Sequence, residues 1–146
     1  MIIHAWTDGA SRGNPGESGI GVILKDERGG TLRSVCGYLG KATNNVAEYS
    51  ALLACLKLAS EQPCKMLIVH SDSELMVKQL NGLYKVKDAN LKRYVQRVRE
   101  RLSQASFQVT IKHVMREENR EADELANRGI DTRTPLPADD LPLFRQ

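Results

Sequence analysis

Four carboxylates stand where the sequence pattern changes character. Asp8 closes the apolar run from Ile2 to Thr7, and Asp72 follows the apolar run from Met66 to Val69. Glu48 lies early in a stretch of Ala, Val and Leu, and Asp123 sits between Ala122 and Ala126. Four acids grouped at one place repel one another, and divalent cations relieve that repulsion. Mg²⁺ prefers hard oxygen ligands and keeps several waters, so a few carboxylates together with substrate phosphates suit it. Two such ions about 3.5–4 Å apart can activate a water on one side of a phosphodiester and stabilise the leaving oxygen on the other. The chemistry implied is hydrolysis of a nucleic-acid backbone. Acidic residues at helix starts also serve as caps or stay solvated, so this reading depends on a fold that brings the four together.

The elements that must do so are legible in outline. Ile2–Thr7 reads as a strand ending in the turn-forming string DGASRGNPG. Residues 18–27 and 31–39 make two more strands, joined through Arg28-Gly29-Gly30 as a hairpin. From Asn44 to Ser60 the period changes. Val46, Tyr49, Leu53 and Leu56, with small apolar neighbours, predict a helix with a wide buried face that stops before Pro63. Met66–Val69 is a short continuous apolar run, expected of a central strand covered on both faces.

Residues 73–81 predict a short helix. Residues 89–104 predict a longer one, with Leu91, Tyr94, Val95, Val98 and Leu102 on one side and arginines on the other. Phe107, Val109 and Ile111 alternate as a fifth strand running towards Val114. Glu118–Arg128 predicts the last helix, with Gly129 after its end. The fold class is α/β: a mixed five-stranded sheet with helices on both faces, strands 1, 4 and 5 parallel, strand 2 antiparallel to strand 1. If strands 1 and 4 are neighbours, Asp8 and Asp72 emerge at the same carboxyl edge, where open α/β sheets place their sites.

With 146 residues, 41% hydrophobic and 27% charged, the chain is one globular domain, which excludes intrinsically disordered, collagen-like and disulfide-scaffold classes. Cys36, Cys55 and Cys64 form an odd set without CxxC spacing, as expected of reduced thiols in a cytoplasmic protein. The N-terminus lacks the pattern of a signal peptide, and no apolar run approaches the ~20 residues that span a bilayer. No membrane association and a monomeric state are the expectations. Net charge is +3, but residues 85–101 alone hold seven Lys/Arg against Asp88 and Glu100, leaving the rest mildly acidic. Such a strip suits an anionic partner such as nucleic acid, although a charge run taken alone is more often a solvated helix face.

Four strings occur in order: TDGASRGNPGESGIGVIL from Thr7, KATNNVAEYSALLACL from Lys41, HSDSELMVKQL from His70, and HVMREENREADELANR from His113. Together they resemble the blocks of the type 1 ribonuclease H family, and the resemblance covers residues 1–129. It implies a ribonuclease H-like three-layer fold with strand order 3-2-1-4-5. Asp8, Glu48, Asp72 and Asp123 match the family's metal-binding catalytic carboxylates. The implied activity is cleavage of the RNA strand of RNA–DNA hybrids with Mg²⁺ or Mn²⁺, two ions per site with substrate, leaving 5′-phosphate and 3′-hydroxyl ends. Asn14, Asn44 and Asn45 match contacts to the minor groove, where only RNA offers 2′-hydroxyls. Lys41 and Thr43 resemble a pocket for a phosphate of the DNA strand. Turn formation and helix capping are the structural alternatives for these asparagines. The expected organisation is a ribonuclease H catalytic domain over residues 1–130 and a Pro-rich tail over 131–146.

Two departures and a tail complete the reading. Many relatives carry a mobile histidine before the last helix. Here His113 is expected inside the fifth strand, and Arg116 resembles the arginine that takes its place in compact relatives. The family's basic protrusion is reduced to NGLYKVKDANLK, so weaker hybrid binding is expected. The string Asp140-Leu141-Pro142-Leu143-Phe144 resembles peptides that bind the bacterial sliding clamp, while apolar groups at a C-terminus also fold back on their own domain. Rival functions are another nuclease of the same fold, resolvase- or transposase-like, and a non-catalytic nucleic-acid-binding domain. A nucleotide-binding protein is disfavoured, because Gly9, Gly13 and Gly16 have neither G-x-G-x-x-G spacing nor a following GK[ST].

Overall fold

The computed structural model describes residues 1–137, so the Asp140–Phe144 string lies outside the described residues. Five strands form one sheet: β1 (Ile2–Gly13), β2 (Gly16–Lys25), β3 (Thr31–Ala42), β4 (Met66–Ser71) and β5 (Gln108–His113). Their order is β3-β2-β1-β4-β5. The first three strands pair antiparallel, while β4 lies parallel to β1 and β5 parallel to β4, as the alternation of patterns predicts.

β1 does not end at Thr7. It continues to Gly13, because Ala10–Gly13 keep pairing with Gly16–Gly19 and the hairpin closes only over Asn14-Pro15. Turn-forming residues fill this extension, yet a partner strand satisfies their backbone groups. The hydroxyls of Ser11 and Ser18 also meet at 2.6 Å across the pair. The expected turn at 8–16 is therefore mostly ladder, and it carries Asp8 inside the sheet rather than beyond it.

Helix α1 (Asn44–Ser60) starts where Thr43 Oγ1 accepts from the Val46 N–H at 3.2 Å. It packs on β1 and β2 with one side and on α3 (Ala89–Gln104) with another, so it is buried nearly all round. A helix hydrophobic on every side needs such double cover. The apolar side of α3, with Leu91, Tyr94, Val95 and Val98, supplies it, and Asp88 caps that helix by accepting from the Leu91 N–H at 2.8 Å. The short α2 (Glu74–Leu80) leads from the end of β4 towards α3.

β4 is not covered on both faces. Leu67, Val69 and Ser71 are buried towards α1, but Met66, Ile68 and His70 are half-buried. The cause is the seat of α4 (Arg120–Thr132), which lies over β1, β2 and β3 and leaves β4 and β5 open on that side. There His4 Nδ1 meets His70 Nε2 at 3.4 Å, and Trp6 stacks on His70 at 4.6 Å.

The last helix also differs from expectation. Residues 116–118 form a separate 3₁₀ turn, and α4 runs through Gly129 to Thr132 before Arg133 turns left-handed at φ 51°. Gly129 is not a terminator but a contact point. A Cβ there would sit 2.4 Å from the Gly37 carbonyl oxygen, so only glycine lets α4 settle this close to β3. At the other end, Asn119 Nδ2 donates to the Thr7 carbonyl at 2.9 Å and ties the helix start to β1. Beyond the helix, the Tyr38 N–H donates to the Thr134 carbonyl at 2.8 Å, and Leu136 packs against the core. Among the described residues no helix is long and apolar enough to cross a membrane.

Candidate active site

The parallel register of β1 and β4 sets Thr7 opposite Ser71. The next residue of each chain segment, Asp8 and Asp72, therefore lies at the same edge. Glu48 reaches them from the second turn of α1, where the Gly9 N–H donates to its Oε1. Carboxylate oxygens of Asp8, Glu48 and Asp72 all lie within 4.8 Å of one another. Asp123, in the first turn of α4, closes the group from the opposite sheet face. A cleft of about 550 Å³ holds all four acids, and Gly9, Ala10, Ser11, Asn44, Arg116 and Asn127 complete its wall.

Electrostatics here is unfavourable without a counter-charge. Asp8 is 5% exposed, and its carboxyl is pushed far above the carboxylate range, first by burial and then by the charges of Glu48, Asp72 and Asp123. Glu48 is pushed up as well, again first by burial, while the Gly9 N–H pulls in the other direction. Hard oxygen donors this close and this buried fit a divalent cation.

A family profile described as "Reverse transcriptase-like" matches residues 6–129. The chain is 41% identical over 129 residues to Ribonuclease HI of Halobacterium salinarum, covering 88% of this chain and 64% of that one. It is 37% identical to Ribonuclease H of Methylococcus capsulatus, covering 88% of this chain and 89% of that one. The chain belongs to the ribonuclease H family. Its fold superposes on LC11-RNase H1, a structure solved in complex with RNA/DNA hybrid, with a TM-score of 0.83 at 40% identity, covering 89% of this chain and 97% of that one. It spans 64% of the length of the Halobacterium relative and 38% of a bifunctional protein of Mycobacterium tuberculosis.

The other residues singled out from the sequence fall around this ribonuclease H cleft in two groups. Arg116, exposed in the 3₁₀ turn, lines the cleft. His113 ends β5 outside that lining and lies near Glu74. Asn14 and Asn44 are tied together, since Asn14 Oδ1 accepts from the Asn44 N–H at 3.1 Å. The hairpin tip and the start of α1 thus present one continuous rim with exposed Asn45 beside them. Thr43 spends its hydroxyl on the helix cap, and Lys41 is exposed at the end of β3 opposite Glu17.

Two residues without a role in the sequence reading belong to the site's construction. Asn119, 1% exposed, makes no cap bond and holds β1 instead. Asn127 lies one helical turn after Asp123 and donates to its carbonyl at 3.0 Å. The available signal for Asn127 was its i, i+4 spacing from a candidate ligand. Nothing local marks Asn119, because its partner is 112 positions away.

Proposed function

We propose that this chain is a metal-dependent endoribonuclease that hydrolyses the RNA strand of RNA–DNA hybrids, leaving 5′-phosphate and 3′-hydroxyl ends. The observation that carries this reading is the convergence of Asp8, Glu48 and Asp72, with Asp123 in the same cleft, beside a polar rim. The likeness to a ribonuclease H1 solved with an RNA/DNA hybrid supports the substrate. The unit over residues 1–130 carries the reaction, and the protein acts as a cytoplasmic monomer.

Asp8, Glu48, Asp72 and Asp123 would hold Mg²⁺ or Mn²⁺, two ions with substrate in place. When bound, these ions neutralise the carboxylates and stabilise charge on the phosphodiester. The chain's own groups do the rest. Asn14, Asn44 and Asn45 read 2′-hydroxyls in the minor groove and so select the RNA strand. Lys41 and Thr43 hold a phosphate of the DNA strand and fix the register of the duplex. A water oxygen bonds to phosphorus in line as the P–O3′ bond breaks, and the 3′ oxygen takes up a proton. Arg116 faces the cleft and steadies the phosphate charge.

The test is cleavage of a labelled hybrid, matched double-stranded RNA, matched DNA and single-stranded RNA, with Mg²⁺, Mn²⁺ or EDTA, and Asp8→Asn run alongside. Metal-dependent cutting of the hybrid's RNA strand alone, lost in the variant, is the expected result. Cutting of plain DNA points to the wider nuclease class, and binding without cleavage under every metal points to a non-catalytic module. The sequence of Asp140–Phe144 supports a second contact, with a bacterial sliding clamp. Deleting residues 139–146 should abolish clamp pulldown and spare hybrid cleavage; retained pulldown ends that idea.

A further inference from the structure

Asp123 reaches the other acids, Asp8 among them, from a helix near the end of the described chain. Asp8, Glu48 and Asp72 crowd within one small sphere, but Asp123 is half-buried and comes from a helix on the other sheet face. A carboxylate so placed needs something to aim it. Asn127 follows one turn later, on the same side of α4. Its Nδ2 lies 3.0 Å from the Asp123 carbonyl oxygen and 3.4 Å from Asp123 Oδ1, so the amide nitrogen addresses both the backbone and the carboxylate of one residue.

The two ends of an asparagine amide are told apart by their partners. Arg12, near the end of β1, brings Nη2 to 3.3 Å from Asn127 Oδ1 and 3.4 Å from the Asn127 carbonyl. Arginine offers only donors, so the end facing it must be oxygen and the NH₂ end must face Asp123. Arg12 is held in turn, with Nη1 2.7 Å from Asp131 Oδ1. That ion pair is about half exposed on both sides, so it acts as a tie in position more than as a source of stability.

We infer that Asn127, oriented by the Arg12–Asp131 pair, is a positioning residue that aims the Asp123 carboxylate for metal binding. The inference rests on the proposed role of Asp123 as a ligand. One Asp123 oxygen receives the Asn127 N–H, and the carboxylate lines the cleft beside Asp8. Partners of this kind, behind the ligands themselves, typically matter about 10–100-fold in metal affinity or activity. The same tie joins α4 to the far end of β1, so it also fixes Asp123 relative to the strand that carries Asp8.

The experiment is isothermal titration of Mn²⁺ alone into the full chain, without nucleic acid, for wild type, Asn127→Leu and Arg12→Ala. Leucine keeps the size and helical preference of the site but removes the donor. Thermal melting in EDTA reports whether each variant folds. The expected result is Mn²⁺ affinity weakened about tenfold or more in Asn127→Leu and less in Arg12→Ala. In cleavage assays the half-saturating metal concentration should rise in parallel, while KM for the hybrid at saturating metal stays put. Arg12 is exposed, so its variant carries the test should Asn127→Leu fail to fold. Unchanged Mn²⁺ affinity in a folded variant overturns the inference. A raised hybrid KM with unchanged affinity would make Asn127 a substrate contact instead. Should wild type itself neither bind Mn²⁺ nor cut hybrid, the proposed function fails and this inference falls with it. Normal wild type beside an unaffected variant removes the inference alone.

Discussion

The Gly9 N–H donates to the Glu48 carboxylate, and at the same point β1 and α1 touch backbone to backbone. A Cβ on Gly9 would lie 2.3 Å from the Ala47 carbonyl carbon and 2.4 Å from the Glu48 nitrogen. Asp8 and Glu48 therefore owe their separation to the absence of a side chain between them.

Gly9→Ala should push α1 off the strand. Overpacking of this kind costs about 1–3 kcal/mol of stability. Activity should suffer more, because a misplacement near 1 Å can cost roughly 100-fold. Thermal melting and single-turnover cleavage of a hybrid separate the two effects. A variant that loses stability but keeps its turnover would show that Glu48 tolerates displacement.

Burial and mutual repulsion raise the carboxyls of Asp8 and Glu48 in the metal-free protein, which fixes the sign of a pH effect. A raised acid binds more protons folded than unfolded. Its contribution is fully present below the unfolded value, about 4 for such groups, and is lost as pH rises towards the folded one. The melting temperature in EDTA should accordingly fall between pH 5 and pH 8. Asp8→Asn removes the group whose carboxyl is raised furthest, so it should melt higher than wild type at pH 8, by about 3–5 °C per kcal/mol relieved. Mg²⁺ should raise the wild-type melting point and flatten its slope. Calorimetry across pH, with and without metal, checks all three; a wild type that grows more stable with rising pH in EDTA contradicts the sign.

Asn119 is the buried tie between α4 and β1. Asn119→Ala leaves the Thr7 carbonyl without its partner, at a cost of about 1–3 kcal/mol. It should also loosen Asp123 against Asp8, so the metal requirement for cleavage should rise beyond what the stability loss explains. Asn119→Asp, of the same size but without the donated N–H, should repeat the defect; normal cleavage by that variant would reduce Asn119 to a space-filling role.

What the sequence discloses, and what it conceals, follows from how local each cause is. The alternation of Val109 and Ile111 and the apolar run at Leu67–Val69 mark their strands without help. The four acids stand out because they interrupt apolar patterns at element ends. The second half of β1 is hidden, since Ala10, Ser11 and Gly13 read as turn until β2 lies beside them. Gly129 reads as a helix stop because its reason, the Gly37 carbonyl, belongs to a strand ninety-two positions earlier. Asn119 is hidden for the same cause, since an asparagine at a helix start looks like a cap and only the folded chain brings Thr7 to it; the spacing of Asn127 from Asp123 is legible, but its Arg12 partner is not.

Arg116 and His113 offer a final discrimination, since the two sit three positions apart and only Arg116 lines the cleft. His113 ends an edge strand near Glu74 and is not among the residues that line the cleft. A guanidinium beside the cleft can meet charge on the scissile phosphate, but its exposure to water weakens that effect relative to a buried donor. Arg116→Ala should therefore lower kcat about 10–100-fold, at the low end of what losing a charge-stabilising donor costs, with little change in melting temperature. Arg116→Lys should recover part of the loss, because charge is kept while the planar fork is lost. His113→Ala should cleave within about twofold of wild type, as expected of a surface substitution away from the chemistry. The reverse ranking, with His113→Ala impaired and Arg116→Ala normal, would mean that the end of β5 moves into the cleft when substrate binds.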